Sequence, residues 1–178
     1  MDKLIQGIVR ADDWVLKATL VLCGALLAVM VAIAAAGVVC RFVLHASLSW
    51  SEEFDAYLFV WLTCLGAAAG VKLRAHPEVR ALADRMPAFT QKVIADLTDG
   101  AVVALGIILV VYGGEMISMM GTETAASMPI SMTYPYLAIP VGGALLIFHS
   151  LVRILVAHAA PGAAREAAPI VHGLSEHL

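Results

Sequence analysis

The chain has 178 residues, 61% of them hydrophobic and 14% charged, with a formal net charge of −3 and a mean hydropathy of +0.90. A soluble domain of this length carries more charge, and the apolar residues come in long blocks, which also exclude the weak alternation of a transmembrane barrel. The chain therefore reads as a helical membrane protein, in which the placement of charge matters more than its total.

Met1 to Lys17 is short and polar. Ile5, Ile8, Val9, Asp12 and Trp14 alternate with charges in a loosely helical pattern, so the segment reads either as a lead-in helix near the surface, with Trp14 as its anchor, or as a frayed terminus. Ala18 to Cys40 holds no charged residue and is long enough to cross a bilayer with some tilt. Ala34-Ala35-Ala36 resembles a signal cleavage site, but the polar residues before the apolar core, Asp12 and Asp13 among them, and the length of the apolar run favour a retained span. Arg41 follows. It either snorkels to headgroups or pairs with Glu52 or Glu53 across the short turn. Cys23, Cys40 and Cys64 all fall in apolar runs without metal-ligand spacing and read as small buried hydrophobes.

Ser49 to Gly70 opens the second span. Ser49 and Glu52 have the spacing of a capping box, and Glu52, Glu53 and Asp55 fall in the first turns, where the helix dipole favours negative charge. Trp50 and Tyr57 suit a water–lipid boundary. Gly66 and Gly70 form a G-x-x-x-G pair spaced by three alanines, a flat face for a close helix neighbour.

The segment from Lys72 to Lys92 carries five of the eleven lysines and arginines. Within it, His76 precedes Val79, Leu82 and Met86, whose spacing predicts a short amphipathic helix lying in the interface, with Pro77 in its first turn and Pro87 at its end. The third helix brings Asp96 and Asp99 onto one face. They could hold a cation or a partner's arginine, but the basic loop beside them favours a solvated first turn. Its apolar body runs to Gly114, followed by Glu115 and a Met-rich turn. Gly121 to Tyr136 has no lysine or arginine and is broken by Pro129 and Pro135. Leu137 to Leu155 forms the fourth span, with Pro140 in its first turns and His149 as the lone histidine at membrane depth. Residues 158–178 have the composition of a disordered tail.

The basic residues precede span one, fill the loop between spans two and three, and follow span four. Only Arg41 lies on the other side, so both termini and the middle loop are expected in the cytoplasm. The expected fold is an all-α membrane protein with four transmembrane helices, near 18–42, 52–72, 97–120 and 136–156, plus short amphipathic interfacial helices, N-in and C-in, with a tail over 158–178. No Walker loop, HExxH, CxxC or Ser–His–Asp order is present, and no catalytic, cofactor or metal residue is assigned. None of the spans carries a charge at midplane depth, as an ion pathway requires.

Taken in order, Arg41, Trp50-Ser51-Glu52-Glu53, Trp61, Gly66-Ala67-Ala68, His76 with Val79 and Leu82, Pro87, Ser127-Met128-Pro129, and Tyr136 with Pro140 and Gly142 resemble the small, DctQ-like membrane subunit of tripartite ATP-independent periplasmic (TRAP) transporters. The resemblance covers about residues 10–156. Pro77 departs from it, because the family more often has an aliphatic residue there. The resemblance implies an inner-membrane scaffold subunit, without cofactor, for a sodium-driven carrier of organic acid anions. Its partners would be a large elevator-type membrane subunit and a periplasmic substrate-binding protein. Arg41, Trp50, Glu52, Glu53, Trp61, Gly66 and Gly70 would then form the partner and scaffold interface, and His76, Val79, Leu82 and Met86 the cytoplasmic interfacial segment. The competing readings are a four-helix anchor of an electron-transfer complex, which needs paired histidines within the spans, and a stand-alone structural membrane protein.

Overall fold

A computed structural model describes residues 2–46, 48–73 and 88–159. Among them the chain is helical apart from loops and one isolated bridge between Thr124 and Ser131. The elements are α1 (Asp2–Phe42), α2 (Ser51–Lys72), α3 (Ala88–Met120), the single turn α4 (Thr133–Tyr136) and α5 (Ala138–Ala159). Among the described residues, four helices are long and apolar enough to cross a membrane. The expected amphipathic segment with His76, Val79, Leu82 and Met86 lies outside the described residues, as does the tail beyond residue 159.

The polar lead-in is not a separate surface helix. It is continuous with the first span, so α1 runs for 41 residues, roughly 60 Å at the rise of an α-helix. No proline interrupts it, and its alanines and leucines are strong helix formers. The helix stops at Phe42, and His45 beyond it takes a left-handed φ of 51°, a conformation that histidine tolerates better than most side chains. The Ala46 N–H then reaches back to the Cys40 carbonyl at 3.0 Å and closes the helix end.

The expected capping box does not form. Trp50 occupies the N-cap of α2 without a side-chain cap bond. Ser51 instead turns its hydroxyl back to the Leu48 carbonyl at 2.9 Å, and Glu52 is exposed.

The helices pack as a row rather than a closed ring. α1 lies on α2, α2 on α5 and α5 on α3, while α1 touches α5 only slightly. α5 is the middle member, and Ala138, Leu146 and Val152 are buried along it. Glycine sets its distance to both neighbours. A methyl group on Gly143 would lie 2.8 Å from the Gly106 carbonyl of α3, and one on Gly142 would lie 2.7 Å from Cys64 Cβ of α2. Backbones this close gain dispersion contacts that the apolar surroundings of a membrane cannot supply through the hydrophobic effect.

The Gly66/Gly70 pair does not take part in this packing. A methyl group on either residue would meet nothing within 4 Å. The residues of α2 that turn inward are Leu65, Ala68 and Ala69.

Candidate functional site

Among the described residues, the side-chain contacts between elements gather at the two ends of the helices. At the first end, α1 buries a stripe formed by Asp12, Leu16 and Thr19, one helical face at i, i+4 and i+7. Asp12 is 6% exposed and His149 of α5 is 2% exposed. Asp12 Oδ1 stands 2.5 Å from His149 Nδ1, and Asp12 Oδ2 stands 2.6 Å from Lys72 Nζ at the end of α2. Lys72 also pairs with the half-exposed Asp13 at 2.8 Å. His149 Nε2 and the hydroxyl of Ser150 are buried without a hydrogen-bond partner among the described residues.

One turn further along α5, Arg153 grips Asp99 of α3. Arg153 Nε donates to Asp99 Oδ2 at 3.0 Å, and a terminal nitrogen of the same guanidinium bonds Asp99 Oδ1. The other terminal nitrogen donates to the Val71 carbonyl at 3.3 Å. Val71 is the neighbour of Lys72, so the two clusters meet at the last turn of α2. All four long helices are therefore joined at one level by ion pairs and hydrogen bonds. Such a network must be nearly complete, because a desolvated ion that loses its partner costs several kcal/mol.

At the opposite end α2 presents Glu53, Tyr57 and Trp61 at i, i+4 and i+8, and all three hold the connection between α3 and α5. The Glu53 carboxylate accepts the backbone N–H of Ala126 at 3.0 Å and that of Ser127 at 2.8 Å, together with the Ser127 hydroxyl. The Tyr57 hydroxyl donates to Glu53 Oε1 at 2.5 Å and lies 3.5 Å from Met132 Sδ. Trp61 Nε1–H donates to the Tyr134 carbonyl at 3.1 Å. A carboxylate can be neutralised in this way in a loop without lysine or arginine, because backbone N–H groups provide the positive ends of the dipoles.

The connection is also folded on itself. Ser131 and Thr133 hydroxyls both donate to the Gly121 carbonyl, at 2.6 and 3.0 Å. The Met132 N–H bonds the Glu123 carbonyl at 2.9 Å, and the Ala125 N–H bonds that of Ile130 at 2.8 Å.

The residues expected at an interface with a partner thus divide. Glu53 and Trp61 bind within the chain. Trp50 remains exposed at 37%, with its ring edge-on to Phe54 at 6.2 Å. Glu52, Gly66 and Arg41 are exposed, and Arg41 makes no ion pair with Glu52 or Glu53 among the described residues.

One further expectation needs correction. Asp99 is not part of a solvated first turn. It is 7% exposed, and the arginine that holds it belongs to this chain, whereas Asp96 is exposed. His149 is bonded to a carboxylate from the polar lead-in. Sequence reasoning missed both clusters because it treated each acid on its own helix. The available signal was His149 and Arg153 at i and i+4 on an otherwise apolar helix, two polar groups in need of partners of opposite charge.

Among the described residues, no three His, Cys, Asp or Glu side chains converge as a metal site. The arrangement fastens helices and a loop to one another.

A family model described as tripartite ATP-independent periplasmic transporters, DctQ component, matches residues 30–159. A protein of Haemophilus influenzae, provisionally named as a TRAP transporter small permease, is 35% identical over 83 residues, 47% of this chain and 52% of that protein. The C4-dicarboxylate TRAP transporter small permease protein DctQ of Rhodobacter capsulatus is 31% identical over 107 residues, 59% of this chain and 47% of that protein. The chain spans about half the length of these two curated relatives. The isethionate TRAP transporter permease protein DctMQ of Oleidesulfovibrio alaskensis is 28% identical over 103 residues, 57% of this chain but 16% of that longer protein.

Proposed function

Because the chain belongs to the DctQ component family of tripartite ATP-independent periplasmic transporters, we propose that it is the fixed, supporting membrane subunit of a sodium-driven TRAP carrier for organic acid anions. It is a transporter component of the inner membrane and not an enzyme. Small subunits of this family work with large membrane subunits, and in the DctMQ relative the matching segment is part of a much longer permease.

The observation that carries the supporting role is the way α2 is held. Its charged side chains, Glu52, Glu53, Asp55 and Lys72, lie only at its two ends. At one end Glu53 ties it to the α3–α5 connection, and at the other Lys72 and the Val71 carbonyl tie it to α1 and α5. Between these brackets the helices are unbroken and, among the described residues, carry no charged side chain at midplane depth to coordinate a travelling ion or anion. A row of helices tied at both levels resists shear, which suits a stator. The moving substrate and sodium sites then belong to the large subunit.

The basic loop after Lys72 favours a cytoplasmic position for the Asp12 end. The Glu53 end and the folded connection Gly121–Met132 then face the periplasm, where a substrate-binding protein delivers its cargo. The relatives' names give C4-dicarboxylate, sialic acid and isethionate as cargoes, all organic acid anions, so the class of cargo is proposed at that level.

Coexpression with the large membrane subunit tests the reading. The tagged chain is expected to copurify with it in mild detergent, and uptake of a C4-dicarboxylate into proteoliposomes is expected to require the chain, a sodium gradient and loaded binding protein. Isolation of the chain without the large subunit, or full uptake in its absence, would remove the supporting role.

A further inference from the structure

α1 has a second, outward face that the helix row leaves uncovered. Roughly opposite Asp12 on the helix, Arg10, Trp14, Lys17 and Val21 follow one another at helical spacing. Trp14 and Val21 are each 74% exposed. Below the indole a shallow groove runs toward the bilayer, lined by Trp14, Lys17, Ala18, Val21, Leu22 and Ala25. Arg10 and Lys17 are exposed and make no ion pair or hydrogen bond among the described residues.

We propose that this face is a binding site for an anionic phospholipid, with Arg10 and Lys17 on the headgroup phosphate, Trp14 at the glycerol level and an acyl chain along Ala18, Val21, Leu22 and Ala25. Three observations select this occupant.

The first is charge. The two acids that would neutralise the stripe are engaged elsewhere, since Asp12 is buried against His149 and Lys72, and Asp13 is paired with Lys72. Among the described residues the outward stripe therefore keeps two cations without counter-charge, and a phosphate supplies it.

The second is depth. Lys17 is the last charge before the uncharged run Ala18–Cys40, so the cations and the indole stand where headgroups begin and the groove enters hydrocarbon. The third is shape. Alanines at 18 and 25 flank Val21 and Leu22, which leaves a channel along the helix instead of a ridge. The inference goes beyond the transport role and does not depend on it.

The test uses the full chain in mild non-ionic detergent, with retained lipid read by native mass spectrometry after addition of equal phosphatidylglycerol and phosphatidylcholine. Phosphatidylglycerol is expected to be retained preferentially. Arg10→Ala combined with Lys17→Ala is expected to lower that preference by roughly ten- to thirty-fold, the effect of two interfacial cations. Arg10→Lys with Lys17→Arg is expected to keep it and guards against misfolding, and Arg41→Ala at the far end of α1 is expected to leave it unchanged. Equal retention of the two lipids by the unaltered chain would overturn the proposal. So would a preference that survives the double alanine change, or one lost as strongly in Arg41→Ala. Val21→Cys supplies the remaining outcome. Crosslinking to a second copy, or to the coexpressed large subunit, in a complex that retains no lipid would assign the face to protein and overturn the proposal.

Discussion

His149 Nδ1 and Asp12 Oδ1 stand 2.5 Å apart, 137 positions separated in sequence, and close α5 onto α1 at the level where Lys72 ends α2. The carboxylate serves two partners at once. Replacing Asp12 by Leu therefore leaves Lys72 with only the half-exposed Asp13 and leaves the His149 ring with no bond at either nitrogen. The expected loss is about 3 kcal/mol of stability in detergent, the cost of breaking a buried charged network from one side. Asp13→Ala should cost less than about 1 kcal/mol, because that carboxylate is nearly half exposed and Lys72 keeps Asp12. Reversible unfolding in mixed micelles, followed by circular dichroism, measures both. Equal losses for the two variants would show that burial of Asp12 is not what makes the contact matter.

Arg153 tests geometry rather than charge alone. Its guanidinium bonds both Asp99 oxygens and also reaches the Val71 carbonyl. Arg153→Lys keeps the charge but cannot span three acceptors on two helices. It should lose a substantial part of what Arg153→Ala loses, and the alanine variant should lose about 3–5 kcal/mol because Asp99 is then buried alone. Adding Asp99→Ala to Arg153→Ala should recover part of the loss, since the uncompensated carboxylate is gone. A double variant no more stable than Arg153→Ala would mean that Asp99 was never desolvated.

Glu53 governs the α3–α5 connection. Glu53→Gln retains one carbonyl acceptor but no longer takes both backbone donors and the Ser127 hydroxyl as a charged group. Hydrogen exchange at the Ala126 and Ser127 amides should accelerate, while the amides in the middle of α3 and α5 stay protected. Glu52→Gln should leave the connection unchanged, because Glu52 is exposed and bonds nothing there. If Glu53→Gln leaves those two amides equally protected and uptake unchanged, the bracket seen at Glu53 has no role in holding the loop.

Hydropathy made the helices legible, because a charge-free run such as Ala18–Cys40 can be only one thing in a membrane. The continuity of α1 was less visible. Asp12 and Asp13 look like the end of a span when read on α1 alone, and they become tolerable inside a helix only because Lys72 and His149 arrive from other helices. The same applies to Asp99 and Arg153, where the local neighbourhood suggested solvent and the partner came from α5. Glu53 was picked out by its place in the first turn of α2, but its bonds to Ala126 and Ser127 depend on the fold of a loop more than 70 residues away. Local spacing identifies a polar group that needs a partner and does not say which distant segment provides one.

Glycine separates packing within the chain from contact with a partner. Gly143→Ala would place a methyl group 2.8 Å from the Gly106 carbonyl, a backbone atom that cannot swing aside. α3 and α5 must then part along their closest contact, at an expected cost of about 1–3 kcal/mol to the isolated chain. Gly66→Ala meets nothing within 4 Å and should leave the isolated chain as stable as before, or slightly more so, since alanine is the better helix former. The larger change Gly66→Leu should likewise spare the isolated fold but lower the yield of complex with the coexpressed large subunit if the G-x-x-x-G face of α2 is where that subunit lies. Unfolding of the purified chain and copurification yield, measured side by side, separate the two roles. A Gly66→Leu chain that folds and assembles normally would move the contact with the large subunit to another face, and a Gly143→Ala chain of unchanged stability would contradict the close approach of α3 and α5.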